Sequence, residues 1–470
     1  MVSMLKRARP KGGSVLARSS VLGVIGLSAF GAARAQAYEV ALTEDGFPYV
    51  KGEMLVKVRS EAELGRYLDR TRSSLGTLSE RRSLSSGGSG HWYLVKVDEK
   101  VGASFAARDA MGGGEVLYAE PNYIYTTMIG NRPEKPGKDP DYQKAPRLPN
   151  PEVPDPQVGD MYGLKNIDAE TAWSVTKGSR DVVVANIDTG IDYNHPDLIN
   201  NLWQNSTEIA GNNKDDDGNG FVDDIVGWDF RDKDARPYDD NAHGSHTAGT
   251  VGATGGNGVG VSGVAQKVSI MGLRFLGGAN GSGTAADAIS AIEYATANGA
   301  RISSNSWGGG PYSQALFDAI SEANDKGVLF VAAAGNSRND NDKTPSYPAS
   351  YKLPNILAIA ATDADDELAS FSNFGAKTVM LGAPGVDILS TIPERGYKRF
   401  SGTSMACPHV SGAAALILAA YPNLKAVQVK ALLMESVDAV AALNGKVSTG
   451  GRMNLAKAFE RAKAQYGLPQ

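Results

Sequence analysis

Hydrophobic residues from position 162 onward follow two alternating patterns. Short runs of β-branched and apolar residues, such as DVVVANI, GVLFVAAA and NILAIAAT, are typical of strands buried on both faces. Between them, TAADAISAIEYATAN, SQALFDAISEAN and MACPHVSGAAALILAA repeat apolar residues at helical spacing. This alternation predicts an α/β fold with a mostly parallel sheet and helices on both faces, whose active site lies beyond the carboxyl ends of the strands.

A smaller unit precedes this region. EMLVKV and HWYLVKV alternate as half-buried strands do, and GASFAARDAM and VLYAEPNYIY follow, which predicts a small α+β domain over residues 38–127. Residues 128–157 are too rich in proline for a helix or a central strand, so we predict an exposed linker that proteases can cut. The α/β domain then covers residues 158–470.

The first 37 residues differ from the rest of the chain. Basic side chains precede the apolar run VLGVIGLSAF, and ARAQA then supplies small residues for a cleavage site. The apolar run is too short to span about 30 Å of hydrocarbon. We therefore predict a signal peptide over residues 1–37 and a secreted mature protein, extracellular or periplasmic, that is not held in a membrane.

Charge and cysteine content narrow the functional classes. The 470 residues carry a formal net charge of −5, whereas a nucleic-acid binder usually has a basic face, so we expect no nucleic-acid partner. The single cysteine excludes an internal disulfide. We expect a monomer.

Two side chains near the start of the helical run MACPHVSGAAALILAA are candidate nucleophiles, Ser404 and Cys407. A serine hydroxyl needs a base beside it and a third group to orient that base. Of the five histidines, His243 is the best base, because it opens a helical segment where its ring can face a cleft. Asp188 ends a buried strand and is placed to orient His243, although an Asp before Thr-Gly also occurs as a simple turn residue. The order Asp, His, Ser favours the catalytic interpretation, because it is the order of one convergent triad.

Asn336 follows the predicted strand GVLFVAAA closely, much as Asp188 ends its own strand. Its amide is a candidate donor to an oxyanion, together with the main-chain N–H of Ser404 at the start of a helix. An Asn after Gly is more often a turn residue, so the motif alone is weak and gains weight only beside the other three.

Four stretches, IDTGID, HGSHTAGTV, AAAGNS and GTSMACPHVSGAAAL, together resemble the subtilisin-like serine proteases. The resemblance runs from about residue 162 to residue 458 and includes HPDL, GVGVSGVA, NSWGG, YPASY, FSNFG, APG and GRMNL in the order of that family. It implies a serine endopeptidase that cuts polypeptide substrates through an acyl-enzyme. Asp188, His243 and Ser404 would be its triad and Asn336 its oxyanion donor.

The resemblance also implies how substrate binds. NSWGG, through Ser306, Trp307 and Gly308, would pair with the substrate as an added strand. Ser346, just before YPASY, would reach the floor of the specificity pocket. Cys407 falls where relatives often have another small residue, so we expect a small buried apolar side chain there.

The leading unit resembles the propeptide of the same family, especially in AEPNYIY. The resemblance implies that this unit assists folding, blocks the cleft as an inhibitor and is removed by self-cleavage. The long proline-rich linker departs from the family pattern and leaves the mature N-terminus open.

The loop NNKDDDGNGFVDDIVGWDF concentrates carboxylates that repel one another unless a cation joins them. Its first half has the spacing of an EF-hand loop, but Val226 occupies the twelfth position, where such loops have Glu. We therefore predict a variant structural calcium site, with a solvated acidic loop as the alternative. The predicted ligands are the side chains of Asp215, Asp217, Asn219, Asp223 and Asp224 and the main-chain carbonyl of Phe221.

A second calcium site is implied by the family resemblance alone. Asp197 of HPDL and Asn257 of GGNGVGV match calcium-binding positions in relatives, with Asp155 as a further candidate. One residue is inserted before Asn257, which leaves the geometry of that loop open.

Other functions fit parts of the sequence. DTG also occurs in aspartic proteases, but the later STG offers no second Asp. His243 and His246 have a spacing that suits a zinc-dependent hydrolase, but no Glu lies between them and no third ligand is evident. GTSMA ends in Ala and the triad order is wrong for an α/β-hydrolase esterase. A catalytically inactive, calcium-binding secreted protein is the non-enzymatic alternative.

Overall fold

The computed structural model describes residues 38–75, 81–85, 90–112, 114–128 and 152–469. The predicted signal peptide and most of the proline-rich linker lie outside these residues.

Residues 38–127 form an antiparallel sheet covered by two helices. The sheet order is β5-β2-β4-β3, with β1 paired to β2. Its elements are β1 (Val40–Leu42), β2 (Pro48–Val58), α1 (Glu61–Leu75), β3 (Arg81–Ser85), β4 (His91–Lys96), α2 (Ala103–Ala110) and β5 (Val116–Thr127). In α1 the buried positions Leu64, Tyr67, Leu68 and Leu75 recur at helical spacing, so one stripe of the helix packs on the sheet. This unit has its own apolar core.

Residues 178–453 contribute a nine-stranded sheet in the order β17-β18-β14-β13-β12-β10-β6-β8-β7. All its pairs are parallel except the pair of β17 with β18. The strands are β6 (Gly178–Asp188), β7 (Gly227–Asp229), β8 (Lys267–Arg274), β10 (Ile302–Asn305), β12 (Leu329–Ala333), β13 (Ile356–Thr362), β14 (Leu381–Pro384), β17 (Val437–Ala439) and β18 (Gly451–Met453). The central strands β10, β12 and β13 are buried along their whole length, as their continuous apolar runs require.

Helices lie on both faces of this sheet, which confirms the predicted fold class. One face carries α5 and α8 in one apolar cluster, and the other carries α6 and α7 in a second cluster. Serine and threonine hydroxyls cap α6 and α7: Thr284 accepts from an N–H of α6, and Ser313 from an N–H of α7. The helices are α3 (Tyr162–Asn166), α4 (Ala169–Trp173), α5 (His243–Gly252), α6 (Ala285–Ala297), α7 (Gln314–Asp325), α8 (Thr403–Ala420), α9 (Ala426–Glu435) and α10 (Leu455–Tyr466).

Helix α8 is the apolar centre of the larger domain. Among the described residues it is the one helix long and apolar enough to cross a membrane, but 94% of it is buried inside the protein. Its length and composition are therefore those of a core helix.

Two short strands of the larger domain join the first sheet. They are β9 (Ser282–Thr284) and β11 (Trp307–Gly308), and β5 lies between them, antiparallel to both. A separate hairpin consists of β15 (Ile388–Ile392) and β16 (Gly396–Phe400). The leading unit is thus connected to the larger domain by main-chain hydrogen bonds.

Candidate active site

Asp188 and His243 meet at the carboxyl edge of the central sheet. Asp188 is the last residue of β6, and His243 is the first residue of α5. The Nδ1 atom of His243 lies 2.7 Å from Oδ1 of Asp188, and both side chains are fully buried. Oδ1 of Asp188 also accepts the main-chain N–H of Thr189 at 2.7 Å. A carboxylate held in this way fixes the imidazole tautomer that leaves Nε2 free to accept a proton.

Ser404 lies in the first turn of α8, which packs against α5. Its hydroxyl donates to the carbonyl oxygen of Ser306 at 2.9 Å, and Nε2 of His243 has no hydrogen-bond partner among the described residues. The structure therefore brings the predicted nucleophile and base to one edge, with the serine hydroxyl turned towards Ser306. Pro408 lacks the N–H that would bind the Ser404 carbonyl, and the Ser306 hydroxyl donates to that carbonyl at 2.9 Å instead.

Two donors converge beside Ser404. The side-chain oxygen of Asn336 accepts from the main-chain N–H and from the hydroxyl of Thr403, both at 2.9 Å. These bonds fix the amide so that its buried Nδ2 has no acceptor among the described residues. The N–H of Ser404, free of helical bonding in the first turn, donates to the carbonyl of Met128 at 3.4 Å. Sequence reasoning missed Thr403, the first residue of α8, because nothing in the local sequence shows that it contacts Asn336, 67 residues away.

The end of β5 occupies the cleft in front of these donors. Thr127 pairs with Trp307, and Thr126 with Gly308, so two of the predicted substrate-binding residues pair with this strand. The N–H of Met128 donates to the Ser306 carbonyl at 3.1 Å. The Met128 carbonyl is therefore the main-chain carbonyl that faces the N–H of Ser404.

Side chains of the same segment enter apolar surroundings. Tyr125 is fully buried and packs edge-to-face on Trp307, with ring centroids 5.5 Å apart. A Cβ built on Gly308 would lie 2.5 Å from Cε of Met128 and 2.8 Å from the main-chain carbonyl of Tyr347, so a larger residue there would crowd both. The predicted pocket residue Ser346 lies beside Gly335, where a built Cβ would be 3.3 Å from its Oγ.

Three other buried histidines serve the fold. His195 bonds the carbonyl of Gly396, His246 bonds two carbonyls of the β15–β16 hairpin, and His409 bonds the carbonyl of Met405. Burial lowers the pKa of His195 and His409 to about 4 and that of His246 to about 3, which keeps the rings neutral. Neither His243 nor His246 belongs to a metal-capable cluster in the described residues, so the structure gives the zinc alternative no site.

Cys407 is fully buried on the inner side of α8. Its sulfur contacts the Val331 carbonyl at 3.5 Å and the Ser304 hydroxyl at 4.0 Å. Burial raises the pKa of the thiol to about 11, so the thiolate is scarce at neutral pH.

The acidic loop holds one cluster suited to a cation. Carboxylate oxygens of Glu208, Asp215 and Asp217 lie within 4.8 Å of one another. Asp215 and Asp217 were predicted, whereas Glu208 lies outside the EF-hand-like spacing and was missed. Such a hard-oxygen set fits calcium, since three carboxylates at this distance repel without a cation.

The other predicted ligands of this loop make different contacts. Asp223 accepts main-chain N–H groups of Asn212 and Asn213, and Asp224 is buried against Asn205 and Tyr294. Neither carboxylate belongs to the cluster: Asp223 faces main-chain donors of the loop, and Asp224 faces donors outside it, among them the Tyr294 hydroxyl on α6. The amide of Asn219 bridges Asp217 and Asp224, while the N–H of Phe221 binds the side-chain oxygen of Asn219.

The residues of the second implied calcium site are also neighbours. Asp197 accepts from the amide of Asn257 at 2.8 Å, and Asp155 accepts the main-chain N–H groups of Gly256, Asn257 and Gly258. Burial raises the pKa of Asp197 to about 6. In the part of the chain that the structure describes, these residues form no cluster of three metal-capable acidic or histidine groups.

The sequence profile of the Subtilase family matches residues 179–457. The chain is 38% identical over 356 residues to the thermophilic serine proteinase of Bacillus sp. (strain AK1), covering 76% of each chain. It is 37% identical to thermitase of Thermoactinomyces vulgaris over 300 residues, and this alignment covers 64% of this chain and 96% of thermitase. Subtilisin DY of Bacillus licheniformis is 39% identical over 270 residues, 57% of this chain and 88% of that protein. The chain therefore belongs to the subtilase family and is a subtilisin-like serine endopeptidase.

Proposed function

We propose that Asp188, His243 and Ser404 are the catalytic triad of this endopeptidase. The Ser404 hydroxyl turns from the Ser306 carbonyl towards Nε2 of His243, which takes its proton as Oγ attacks the carbonyl carbon of the substrate. The Asp188 carboxylate stabilises the imidazolium that forms. What supports this assignment is the 2.7 Å contact between His243 and Asp188 next to the start of α8.

The oxyanion of the tetrahedral intermediate is stabilised by the N–H of Ser404 and by Nδ2 of Asn336. Nδ2 is buried without an acceptor among the described residues, which costs free energy in the resting protein, and a donor kept ready for a charge that develops in the reaction accounts for it. His243 then gives its proton to the leaving amine, and an ester joins the acyl group to Ser404. Water, activated by the same histidine, hydrolyses that ester and restores the serine hydroxyl.

The enzyme is made as a self-processing zymogen in which residues 38–128 are the propeptide. This proposal is supported by the antiparallel pairing of β5 with β9 and β11, which places the Met128 carbonyl against the N–H of Ser404. The peptide bond after Met128 is cleaved, and the cut unit stays bound to the enzyme as an inhibitor. Polypeptides are the substrates, and the mature enzyme is a secreted monomer.

A structural calcium ion belongs to the proposed enzyme. Glu208, Asp215 and Asp217 would hold it, and its charge would offset their mutual repulsion and rigidify the loop. The ion takes no part in the chemistry.

The experiment compares Ser404→Ala with Cys407→Ala in a host that lacks other proteases. We expect Ser404→Ala to accumulate as a precursor, because loss of the nucleophilic serine costs about 10⁶ in kcat in a subtilisin, a relative of this enzyme. Cys407→Ala should mature and release a fragment that ends at Met128, which mass spectrometry detects. Maturation of Ser404→Ala would refute the triad, whereas a fragment with another C-terminus would refute the cleavage site alone.

A further inference from the structure

A buried arginine joins three carboxylates beside the cleft. Arg274 ends β8 and is 6% exposed. Its guanidinium contacts Asp229 at the end of β7, Asp232 at 2.7 Å and Asp240 at 2.8 Å. Nη1 binds Asp229 and Asp232 while Nη2 binds Asp240, an arrangement that uses two nitrogens of the planar guanidinium, whereas a lysine ammonium carries its donors on a single nitrogen.

One arm of this network leads to the residues that precede His243. Asp240 accepts the main-chain N–H of Gly278 at 3.2 Å, and the amide of Asn241 donates to the carbonyl of the same glycine at 2.7 Å. Asp239, the preceding residue, accepts the N–H of Ser245 in the first turn of α5. The segment that carries His243 and the turn at Gly278 are therefore fixed to each other.

The turn at residues 277–282 leads directly into β9. Gly277 and Ser282 exchange main-chain hydrogen bonds of 3.1 and 3.2 Å, and the Gly281 carbonyl accepts the N–H of Thr127 at the end of β5. A Cβ built on Gly277 would lie 2.8 Å from Nη2 of Arg274 and 3.1 Å from Oδ1 of Asp240. The turn thus rests on the arginine–carboxylate pair with no space between them.

We propose that Arg274, acting through Asp240, is a positioning residue for substrate binding: the pair sets the distance of β9 from α5 and so the pairing of β9 with an extended substrate. Among the hydrogen bonds of the described residues, neither side chain binds β5, the strand that occupies the cleft. The inference rests on the proposed function, in which β5 marks the path of a substrate. Loss of the pair should therefore weaken binding of long peptides and spare the chemistry at Ser404.

The chain offers a matched control. Asp232 is 30% exposed and Asp240 31%, and each binds one guanidinium nitrogen of Arg274. Among the contacts of the described residues, Asp232 makes none with the turn at 277–282. Asp240→Asn and Arg274→Lys should therefore perturb β9, and Asp232→Asn should not.

The first readout is hydrogen exchange of the full chain that carries Ser404→Ala, so it does not depend on activity. In Asp240→Asn and Arg274→Lys, we expect the amides of Thr127, which binds the Gly281 carbonyl, and of Ser282, which binds the Gly277 carbonyl, to exchange at least about tenfold faster. They report opening of the turn at 277–282 and of its hydrogen bond to β5. Amides of β10 and β12 should be unchanged. Equal exchange in Asp240→Asn and Asp232→Asn, or faster exchange throughout the protein, would overturn the inference.

The second readout is kinetic and uses the mature enzyme. For a peptide Ile-Tyr-Thr-Thr-Met amide, which has the sequence of residues 124–128, we expect KM to rise about tenfold in Asp240→Asn with kcat within about threefold of wild type. Hydrolysis of a methionine ester, which does not reach β9, should change by less than about threefold. An equal loss on both substrates would overturn the positioning role. If the wild-type protein cleaved neither substrate, the proposed function would fail, and the exchange experiment would still decide the role of Arg274.

Discussion

Glu120 of the leading unit should make inhibition by that unit dependent on pH. This carboxylate lies on β5 and is 3% exposed. It accepts the Ser313 hydroxyl at 2.6 Å and the main-chain N–H groups of Gln314 and Ala315 at 3.0 and 3.2 Å. It therefore caps the start of α7, a helix of the larger domain. The nearest carboxylate on α7 is Asp318, which is paired with Lys57 at 2.8 Å.

The magnitude follows from proton linkage. Burial raises the pKa of Glu120 from its ordinary 4.5 to about 7, against the opposing effect of the three hydrogen bonds. The three donors that contact this carboxyl lie on α7 or at its N-cap, so we expect it to be exposed with its ordinary pKa in the free leading unit and docking to take up a proton between pH 4.5 and 7. Affinity then falls as pH rises through this window, by up to tenfold per pH unit and about 300-fold in all, and is level above it.

The substitution Glu120→Gln tests this, because the glutamine side chain has the shape of the protonated carboxyl but cannot ionise. We expect the inhibition constant of Glu120→Gln to be independent of pH between about 5 and 8. At about pH 5 the variant should inhibit within about fivefold of the wild type, and at about pH 8 it should inhibit about 300-fold more tightly. The matched control is Glu115→Gln, because Glu115 pairs with Arg70 inside the leading unit and not with the larger domain.

The assay adds the separate polypeptide 38–128 to the mature enzyme and measures residual hydrolysis of a peptide at each pH. Each inhibition constant is taken relative to uninhibited enzyme at the same pH, which removes titration of the enzyme itself. A wild-type constant that is level from about pH 5 to about pH 8, or a slope that survives in Glu120→Gln, would exclude Glu120 as the source of the pH dependence.

The cleft and the acidic loop each lead to a further prediction. Asn336→Ala should lower kcat by about 10² to 10³ with little change in KM, because Nδ2 acts only when the oxyanion forms; an unchanged kcat in steady-state assays would reject that role. A chelator should lower the melting temperature of the mature enzyme. Calcium at about 100 times its Kd should raise the free energy of unfolding of the calcium-free enzyme by about 2.7 kcal/mol. Asp217→Ala should lose most of this response, and a wild-type melting curve indifferent to chelator would exclude a structural ion.

The order of strands and helices was predictable because each element has a strong local pattern. The runs that became β12 and β13 are apolar without interruption, and a strand of that kind has no stable place except inside a covered sheet. The ends of such strands then indicate where Asp188 and Asn336 lie. Local pattern and motif were therefore enough to predict that these candidate residues lie at one edge of the sheet.

Side-chain orientation was not predictable in the same way. Asp223 and Asp224 have the spacing of ligands, yet Asp223 binds the main-chain N–H of Asn213 across the loop and Asp224 binds the hydroxyl of Tyr294, 70 residues away. Glu208 enters the cluster only because the loop folds back on itself. The direction of the Ser404 hydroxyl depends on the carbonyl of Ser306, 98 residues away. These outcomes depend on long-range contacts, which no local pattern encodes.

Two kinds of contact hold the leading unit, and only one of them resembles a substrate. The pairing of β5 with β9 and β11 ends at Met128, and any extended peptide can reproduce it. The second kind lies on α7, where Glu120 caps the helix and Asp318 binds Lys57 and the indole N–H of Trp92. The proposed cleavage after Met128 would break no contact on α7, so we expect the cut unit to stay bound where a cut peptide dissociates. We therefore expect the contacts on α7, rather than the cut itself, to set how long the new enzyme remains inhibited.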